Sequence, residues 1–388
     1  MKVLHVIDSF SFGGAERLLA TLNGVAAEAG LDLSVASLAP FSAERTASLR
    51  LLDGAGLRPT FVGVRRLLDP RALPLLRRTI ATSGCDVVHA HLGYSATLVP
   101  VAARSLGVPC FSTLHHVPAV RADRSGRVKE WLWTRSAERG AALIYVSEAA
   151  RAAATAVVGR PKQSWRVVHN GVDLDAFRPA DGPGRDPLPT ELGVPDDVPV
   201  VTIVAALRSG KGHAVAMRAW PRVRERVPGA TLLVVGDGPE AGALRSAAGD
   251  GVVFAGTRED VPALLRGSTL ALLPSYTEAL PTALIEAAAS GLAAVATTVG
   301  GTAETVEDGV TGLLVPPHDQ DALADAVVTL LNDPRRRAGY AVAARRLAEE
   351  RFELRRWAGR LADLYEDAVT AGRGRRTVST EKIGEDVG

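Results

Sequence analysis

The sequence predicts two doubly wound α/β domains, each a parallel sheet covered by helices on both faces. Three observations carry that expectation. Strand-sized apolar runs alternate with helix-periodic segments almost from end to end of the 388 residues. These runs are continuous rather than alternating, which suits parallel strands covered on both sides. The rhythm breaks once, between Arg178 and Pro199, where six prolines gather with several Gly and Asp residues, the best linker signal in the chain. Nearly every residue of unusual chemistry falls just beyond the carboxyl end of an expected strand, the edge where open α/β sheets bind ligands.

In the first half the expected strands are Val3–Ile7, Leu31–Ser37, Pro59–Val62, Asp86–His89, Val108–Ser112, Ala142–Val146 and Trp165–Val168. After the Pro-rich stretch the rhythm restarts with Val200–Ala205, Thr231–Val235, Val252–Ala255, Thr269–Leu273, Ala293–Thr297 and Gly312–Val315. Two helices, about Asp333–Arg351 and Leu354–Ala371, close the chain. The expected organisation is an N-terminal domain over 1–180, a linker over 181–198 as the single crossing, and a second domain over 199–352. A helix over 353–371 is expected to pack back toward the first domain, and the polar, partly basic tail 372–388 to be disordered. Two such domains with their functional edges facing each other would enclose a deep cleft. No repeat of solenoid period is visible.

Composition narrows the class. Charged residues make up 23% and the formal net charge is +2, so there is no general pull toward nucleic acid. The two cysteines, Cys85 and Cys110, lie in or beside apolar runs and read as reduced core residues. Ala279 to Gly300 has a single charge, Glu286, yet Pro281 and Gly291 divide it into helix, turn and strand rather than a membrane span. A strand opens the chain without a signal-peptide pattern. The expectation is a cytoplasmic protein, with a peripheral station at the inner membrane face left open.

The most informative stretch is Glu278-Ala-Leu-Pro-Thr-Ala-Leu-Ile-Glu286. It follows an expected strand and opens a helix read over Thr282–Ser290. One carboxylate thus stands in a loop past a strand end, and the other lies just over one turn into the helix. A helix N-terminus favours an anion, so two acids beside it fit a ligand with both hydroxyls and phosphates, such as a nucleotide sugar. A solvated Glu286, with Glu278 as a helix-dipole partner, fits the residues equally well.

Arg208 and Lys211-Gly212 put two cations in a glycine-containing loop, Arg as a fork and Lys as a point charge for phosphate. A shared sheet edge with Glu278 favours that reading over a solvated loop. Gly13-Gly14-Ala15-Glu16 fills a strand-to-helix turn where glycines allow close approach of backbone N–H groups. It lacks the spacing of a dinucleotide fingerprint, and an ordinary tight turn is the simpler reading. Gly236-Asp237-Gly238 follows another strand. His89 and His91 straddle a strand end and need not converge, so no metal site is expected. His89 reads as a core residue, while His91 and His115 reach into loops where they could touch substrate. Asp173-Leu-Asp175 reads as turn chemistry after Asn170-Gly171. Arg121 to Trp133 reads as a helix with two half-buried tryptophans or as a basic surface for an anionic membrane or lipid-linked acceptor.

Taken together the motifs form an ordered set. The most specific part is Ser275-x-x-Glu278-x-x-Pro281-x-x-x-x-Glu286-Ala287, followed by Gly291, Thr297, Gly300-Gly301, Glu304, Asp308-Gly309 and Thr311-Gly312-Leu313-Leu314-Val315. Supporting it are Gly13-Gly14-Ala15-Glu16, His89-Ala-His91, Ser147-Glu148, His169 to Asp173, Leu207-Arg208 with Lys211-Gly212, and Val235 to Pro239. With these residues the chain resembles, over nearly its whole length, the retaining glycosyltransferases of family 4, which have the GT-B architecture.

The resemblance implies a hexosyl- or other glycosyltransferase, retaining and metal-independent. It would move a sugar from a nucleotide-diphosphate sugar to a hydroxyl on a glycan, a lipid-linked molecule or a small molecule, in cell-envelope or polysaccharide biosynthesis. It implies that Lys211 and a nearby Arg neutralise the departing diphosphate, that Glu286 holds the ribose hydroxyls, and that Glu278 contacts the donor sugar. The backbone of Ala279, Leu280, Pro281 and Thr282, with Gly238, would run close to sugar or phosphate. His115 would sit at the sugar's reacting face, Gly13 and Gly14 near phosphate and acceptor, and Glu16 and His91 on the acceptor side. No cofactor or metal is implied.

Two positions depart from the family pattern. Ala206 stands where an Arg is common, leaving Arg208 to reach the phosphates, and Ala279 stands where Gly usually follows the first Glu. The rivals are a GT-B-like nucleotide-sugar epimerase, against which the ordered Glu278/Glu286 pattern argues, and a non-catalytic nucleotide-sugar-binding scaffold, against which the intact Lys211, Glu278, Glu286 and His115 argue.

Overall fold

The structure is a computed structural model and describes residues 1–10, 14–42, 49–66, 68–118, 124–159, 162–182 and 184–384. It divides into two compact units, Met1–Gly171 with the segment from Leu354 onward, and Val172–Glu353. The first carries the parallel strands β1 (Lys2–Ile7), β2 (Asp32–Ser37), β3 (Thr60–Phe61), β4 (Val87–His91), β5 (Cys110–Leu114), β6 (Ala142–Tyr145) and β7 (Trp165–Val167) in the order β3-β2-β1-β4-β5-β6-β7. The second carries β8 (Val200–Val204), β9 (Thr231–Val235), β10 (Val252–Gly256), β11 (Leu270–Leu273), β12 (Ala294–Thr297) and β13 (Gly312–Val315) in the order β10-β9-β8-β11-β12-β13. Every expected strand forms, with ends within two residues of the expected ones.

Both units are Rossmann-like. The strand order reverses at β1/β4 in one and at β8/β11 in the other. The crevice beyond the strands' carboxyl ends at such a reversal is where these sheets hold ligands.

Strand residues pack alternately on the two faces. In the first unit Leu4, Val6, Val88 and Ala90 meet Leu76, Ile80 and Val99. Val3, Val87, Phe111 and Ile144 meet Leu22, Val25 and the last helix through Trp357, Leu361 and Tyr365. In the second unit Val201, Ile203, Leu232 and Leu272 pack with Trp220, Val223, Leu323 and Val327. On its other face Val200, Leu233, Leu273 and Ala294 meet Leu264, Leu265 and Leu284.

Three expectations about organisation need correction. The chain leaves the first unit at Gly171/Val172, ahead of the stretch expected to be the crossing, and returns at Glu353/Leu354, so that the last helix belongs with the first unit as expected. The Pro-rich stretch is not a free linker, because its residues belong to the second unit. Leu188, 6% exposed, is buried with Val261, Leu264 and Leu265, and Asp186 accepts from Arg266 Nε at 2.9 Å. Burying one leucine contributes about 1.5–3 kcal/mol, enough to hold a prolyl segment that has little backbone entropy to lose. The last helix runs from Leu354 to Gly384, past the end expected at Ala371. Arg, Glu and Lys are good helix formers, so polarity alone does not end a helix. Cys85 and Cys110 are free. Among the described residues no helix is long and apolar enough to cross a membrane.

Candidate active site

In the second unit β8 leads into Leu207-Arg208, a tight turn over Ser209–Lys211 and the helix His213–Arg226. Gly212 sits at φ 69°, and a Cβ there would lie 1.8 Å from the Pro274 carbonyl oxygen. Only glycine lets the loop after β8 press this closely on the loop after β11. The Tyr276 N–H donates to the Gly210 carbonyl at 2.9 Å across the same contact. Gly238 has a similar reason, since its Cβ would come 2.5 Å from the Leu207 carbonyl oxygen.

This packing brings Lys211 Nζ to 2.7 Å from Glu278 Oε1, with side-chain exposures of 18% and 8%. The Ser275 hydroxyl donates to the same carboxylate oxygen at 2.6 Å. The Glu278 carbonyl accepts from the Gly301 N–H at 3.0 Å, and the Thr297 hydroxyl donates to the Ser275 carbonyl. Loops after three neighbouring strands therefore fix one carboxylate beside one ammonium, at the reversal of strand order.

The helix Thr282–Ala289 follows, with Pro281 at its N-cap supplying no side-chain cap, so the anion-attracting end of the helix lies next to the pair. Glu286 is half-buried in its second turn. Beside Tyr276, the His318 ring stacks at a centroid distance of 4.0 Å. His318 holds φ 67° just past β13, a left-handed conformation that costs a non-glycine residue about 1–3 kcal/mol and gathers at functional sites. His213 is 1% exposed; burial, with the nearby Lys211 charge, pushes it down to about 4.

The first unit shows a second cluster. β1 pairs β4 with His5 opposite His89, and β4 pairs β5 with His91 opposite Thr113. Residues two apart on a strand share a face, so His5, His89, His91 and Thr113 lie together, with His115 just past β5. His5 Nδ1 lies 2.8 Å from His91 Nε2, and His91 Nδ1 lies 3.0 Å from His115 Nε2. His89 bonds Tyr365 at 2.6 Å and Thr113 at 2.7 Å. Burial pushes His5 down to about 3 and His115 to about 4, and His89 and His91 well below the ordinary histidine range.

Ring nitrogens of His5, His89 and His91 lie within 4.8 Å of one another. Two nitrogens on one tetrahedral zinc, at about 2.05 Å each, would stand about 3.3 Å apart. The His5–His91 contact is shorter than that and has the length of an ordinary hydrogen bond. Next to this cluster Asp8 caps the helix Gly93–Leu106 by accepting from the Ser95 N–H at 2.6 Å. Leu92, between His91 and that helix, has φ 70°, a second strained non-glycine residue at a strand's carboxyl end.

Comparison with known proteins agrees with this fold. The pattern described as Glycosyltransferase Family 4 matches residues 12–176, and that described as Glycosyl transferases group 1 matches 198–333. A D-inositol 3-phosphate glycosyltransferase of Catenulispora acidiphila is 30% identical over 359 residues, covering 84% of each chain. The chain belongs to the family 4 glycosyltransferases. It transfers a sugar from a nucleotide sugar to an acceptor. A GDP-mannose-dependent alpha-(1-6)-phosphatidylinositol monomannoside mannosyltransferase of Mycolicibacterium smegmatis is 36% identical over 238 residues, 57% of this chain and 61% of that one. Among solved structures, HepE of Anabaena in complex with UDP and glucose superposes with a TM-score of 0.80 at 23% identity, over 95% of this chain and 100% of that one. Sucrose-phosphate synthase of Thermosynechococcus elongatus gives 0.75 at 21% identity, over 96% and 100%.

In this glycosyltransferase Lys211 and Glu278 come together directly, and Arg208 stands exposed at the head of the Ser209–Lys211 turn. Gly14 opens the helix Gly14–Ala26, and a Cβ on it would meet nothing within 4 Å among the described residues; Gly13 and Arg121 lie outside the described residues. Glu16 is buried, at 2% exposure. His91 needs correction: it lies inside β4, buried, rather than in a loop, and it does converge with His89 because the strand runs two residues longer than expected. Of the two tryptophans, Trp131 is exposed, whereas Trp133 packs over Gly93. Sequence reading missed His5, Asp8, His213, Tyr276 and His318. The one usable signal was a histidine in the middle of the apolar run Val3–Ile7.

The glycosyltransferase should tolerate a methyl group at one site glycine and not at the other. Gly212→Ala is expected to lower the melting temperature and the turnover together, since the loop holding Lys211 must leave Pro274. Gly14→Ala, with open space around it, should leave the melting temperature unchanged or higher. Calorimetry on both variants checks the contrast.

Proposed function

We propose that this glycosyltransferase is retaining, needs no bound metal, and holds a nucleoside diphosphate sugar at the β8/β11 edge of its second domain. The observation that carries the reading is the nearly buried Lys211–Glu278 pair beside an N-terminal helix end. Without donor, Glu278 holds the Lys211 ammonium. A bound diphosphate takes over that cation, and the released carboxylate meets hydroxyls of the sugar. As the glycosyl–phosphate bond breaks, charge grows on the phosphate oxygens, where Lys211, Arg208 and the N–H groups of the Thr282–Ala289 helix stabilise it. Preorganised cations do there what a divalent ion does elsewhere. Glu286 takes the ribose, and the backbone of Ala279, Leu280, Pro281 and Thr282, with Gly238, lies along phosphate and sugar. His115 is assigned to the transferred sugar, with Glu16, Gly13 and Gly14 toward the acceptor; His91 is buried, and both its ring nitrogens are taken by His5 and His115.

The relatives' names point to guanosine or uridine donors and to inositol-type acceptors, some of them lipid-linked. The helix Arg124–Ala137 supports an acceptor at an anionic membrane surface, because it exposes Val128, Trp131 and Leu132 beside Arg127 and Lys129, a pairing that binds such surfaces. The protein would then work in the cytoplasm at the inner face of the membrane.

A thermal-shift screen of UDP, GDP, ADP and their sugars tests the donor site. The matching nucleotide at 100 times its Kd should stabilise the protein by about 2.7 kcal/mol. Product analysis with inositol phosphate and phosphatidylinositol mannoside as acceptors follows. No shift with any nucleotide would remove the donor assignment, and isomerised donor formed without acceptor would favour an epimerase.

A further inference from the structure

The buried histidines of the first domain have a direction. Each neutral imidazole carries one proton, so one ring nitrogen donates and the other accepts. His5 Nε2 is buried and has no hydrogen-bond partner among the described residues. An N–H at that atom would be an orphaned buried donor, which proteins avoid more strictly than an unpaired acceptor. His5 therefore keeps its proton on Nδ1 and donates to His91 Nε2 across 2.8 Å. With Nε2 accepting, His91 must carry its proton on Nδ1, and it donates to His115 Nε2 across 3.0 Å. His115 is then left with its own proton on Nδ1. The reverse chain would begin with an N–H on His115 Nε2 and end on a buried, unpaired N–H at His5.

From this we infer that His5 and His91 are positioning residues that hold His115 as the Nδ1–H tautomer, so that it meets the transferred sugar as a hydrogen-bond donor and not as a base. Such a group can bond a hydroxyl or ring oxygen of the sugar through Nδ1 while its basic nitrogen stays occupied. The low proton affinity of all three rings, caused by burial, keeps the chain neutral at pH 7. His89 braces it from the side: its ring stacks on His91 at 4.3 Å, and both of its own nitrogens are taken by Tyr365 and Thr113. The inference rests on the assignment of His115 to the sugar.

Ring-nitrogen NMR on the full-length protein labelled with 15N-histidine tests it without a variant. His115 should show a protonated, pyrrole-type Nδ1 and a pyridine-type Nε2, and His5 and His91 should show the same pattern. An Nε2–H tautomer at His115 in the wild type overturns the chain whatever the activity. In His5→Phe and His91→Phe, His115 should lose its single-tautomer signature and kcat should fall by about 10–100-fold, the scale seen when an outer partner that orients a working imidazole is removed. A single Nδ1–H form at His115 in His91→Phe also overturns the inference. His115→Ala separates it from its premise: normal turnover there, with the expected tautomer in the wild type, removes the role at the sugar and leaves the hydrogen-bond chain standing.

Discussion

Lys211→Ala is expected to lower kcat by about 10²–10³, the loss typical of removing one preorganised electrostatic partner of a developing anion. The same substitution should also cost stability. It leaves the Glu278 carboxylate, 8% exposed, without its cation, and an uncompensated, nearly buried carboxylate costs about 1–3 kcal/mol or more. The two effects can be separated. Adding Glu278→Gln removes the stranded charge, so the double variant should recover most of the lost melting temperature while its turnover stays as low as that of Lys211→Ala. Calorimetry and steady-state kinetics on both variants give the comparison. Full turnover in a folded Lys211→Ala protein would end the assignment of Lys211 to the leaving group. Arg208→Ala, at an exposed site, should show the same effect on kcat more weakly.

Glu278→Gln and Glu286→Gln should fail in different ways. Glu286 is assigned to ribose, a part of the donor that does not react, so its loss removes uniform binding: KM should rise, and the Kd for free nucleotide with it. Glu278 is assigned to the transferred sugar, where contacts strengthen only as charge develops, so its loss should lower kcat and leave the nucleotide Kd nearly unchanged. The ion pair adds one feature: free nucleotide should bind Glu278→Gln no more weakly than wild type, because Lys211 no longer has to leave a carboxylate 2.7 Å away. Titration calorimetry with the nucleotide, alongside kinetics with the best donor, separates the pair. Equal losses of nucleotide affinity in both variants with kcat intact would mean that the division of labour is wrong.

The architecture was readable because of how parallel strands are buried. Runs such as Val200–Val204 and Thr231–Val235 are covered on both faces, which leaves continuous apolar stretches that no surface element imitates. The motif proposed for the donor site in the second domain was legible for a related reason. Glu278, Pro281 and Glu286 sit in one loop and helix, so their spacing in the chain is nearly their spacing in space. The Pro-rich stretch misled, because proline content reports backbone stiffness and says nothing about whether Leu188 finds a hydrophobic face to cover. The tail misled likewise, since a polar helix and a polar coil share a composition.

By itself, then, the sequence determined the two Rossmann-like sheets, the family and the spacing of Glu278, Pro281 and Glu286, all encoded in local periodicity and short spacings. Only the tertiary structure decided which of those residues touch. Lys211 meets Glu278 across 67 residues and His5 meets His91 across 86, because β8 lies beside β11 and β1 beside β4. No local propensity specifies that pairing. Nor could the proton on His115 be placed from the chain, since its position follows from a buried nitrogen of His5 that has no partner among the described residues. Burial and strand register are collective properties of the packed sheet, and they turned a set of recognisable side chains into an ion pair and a directed hydrogen-bond chain.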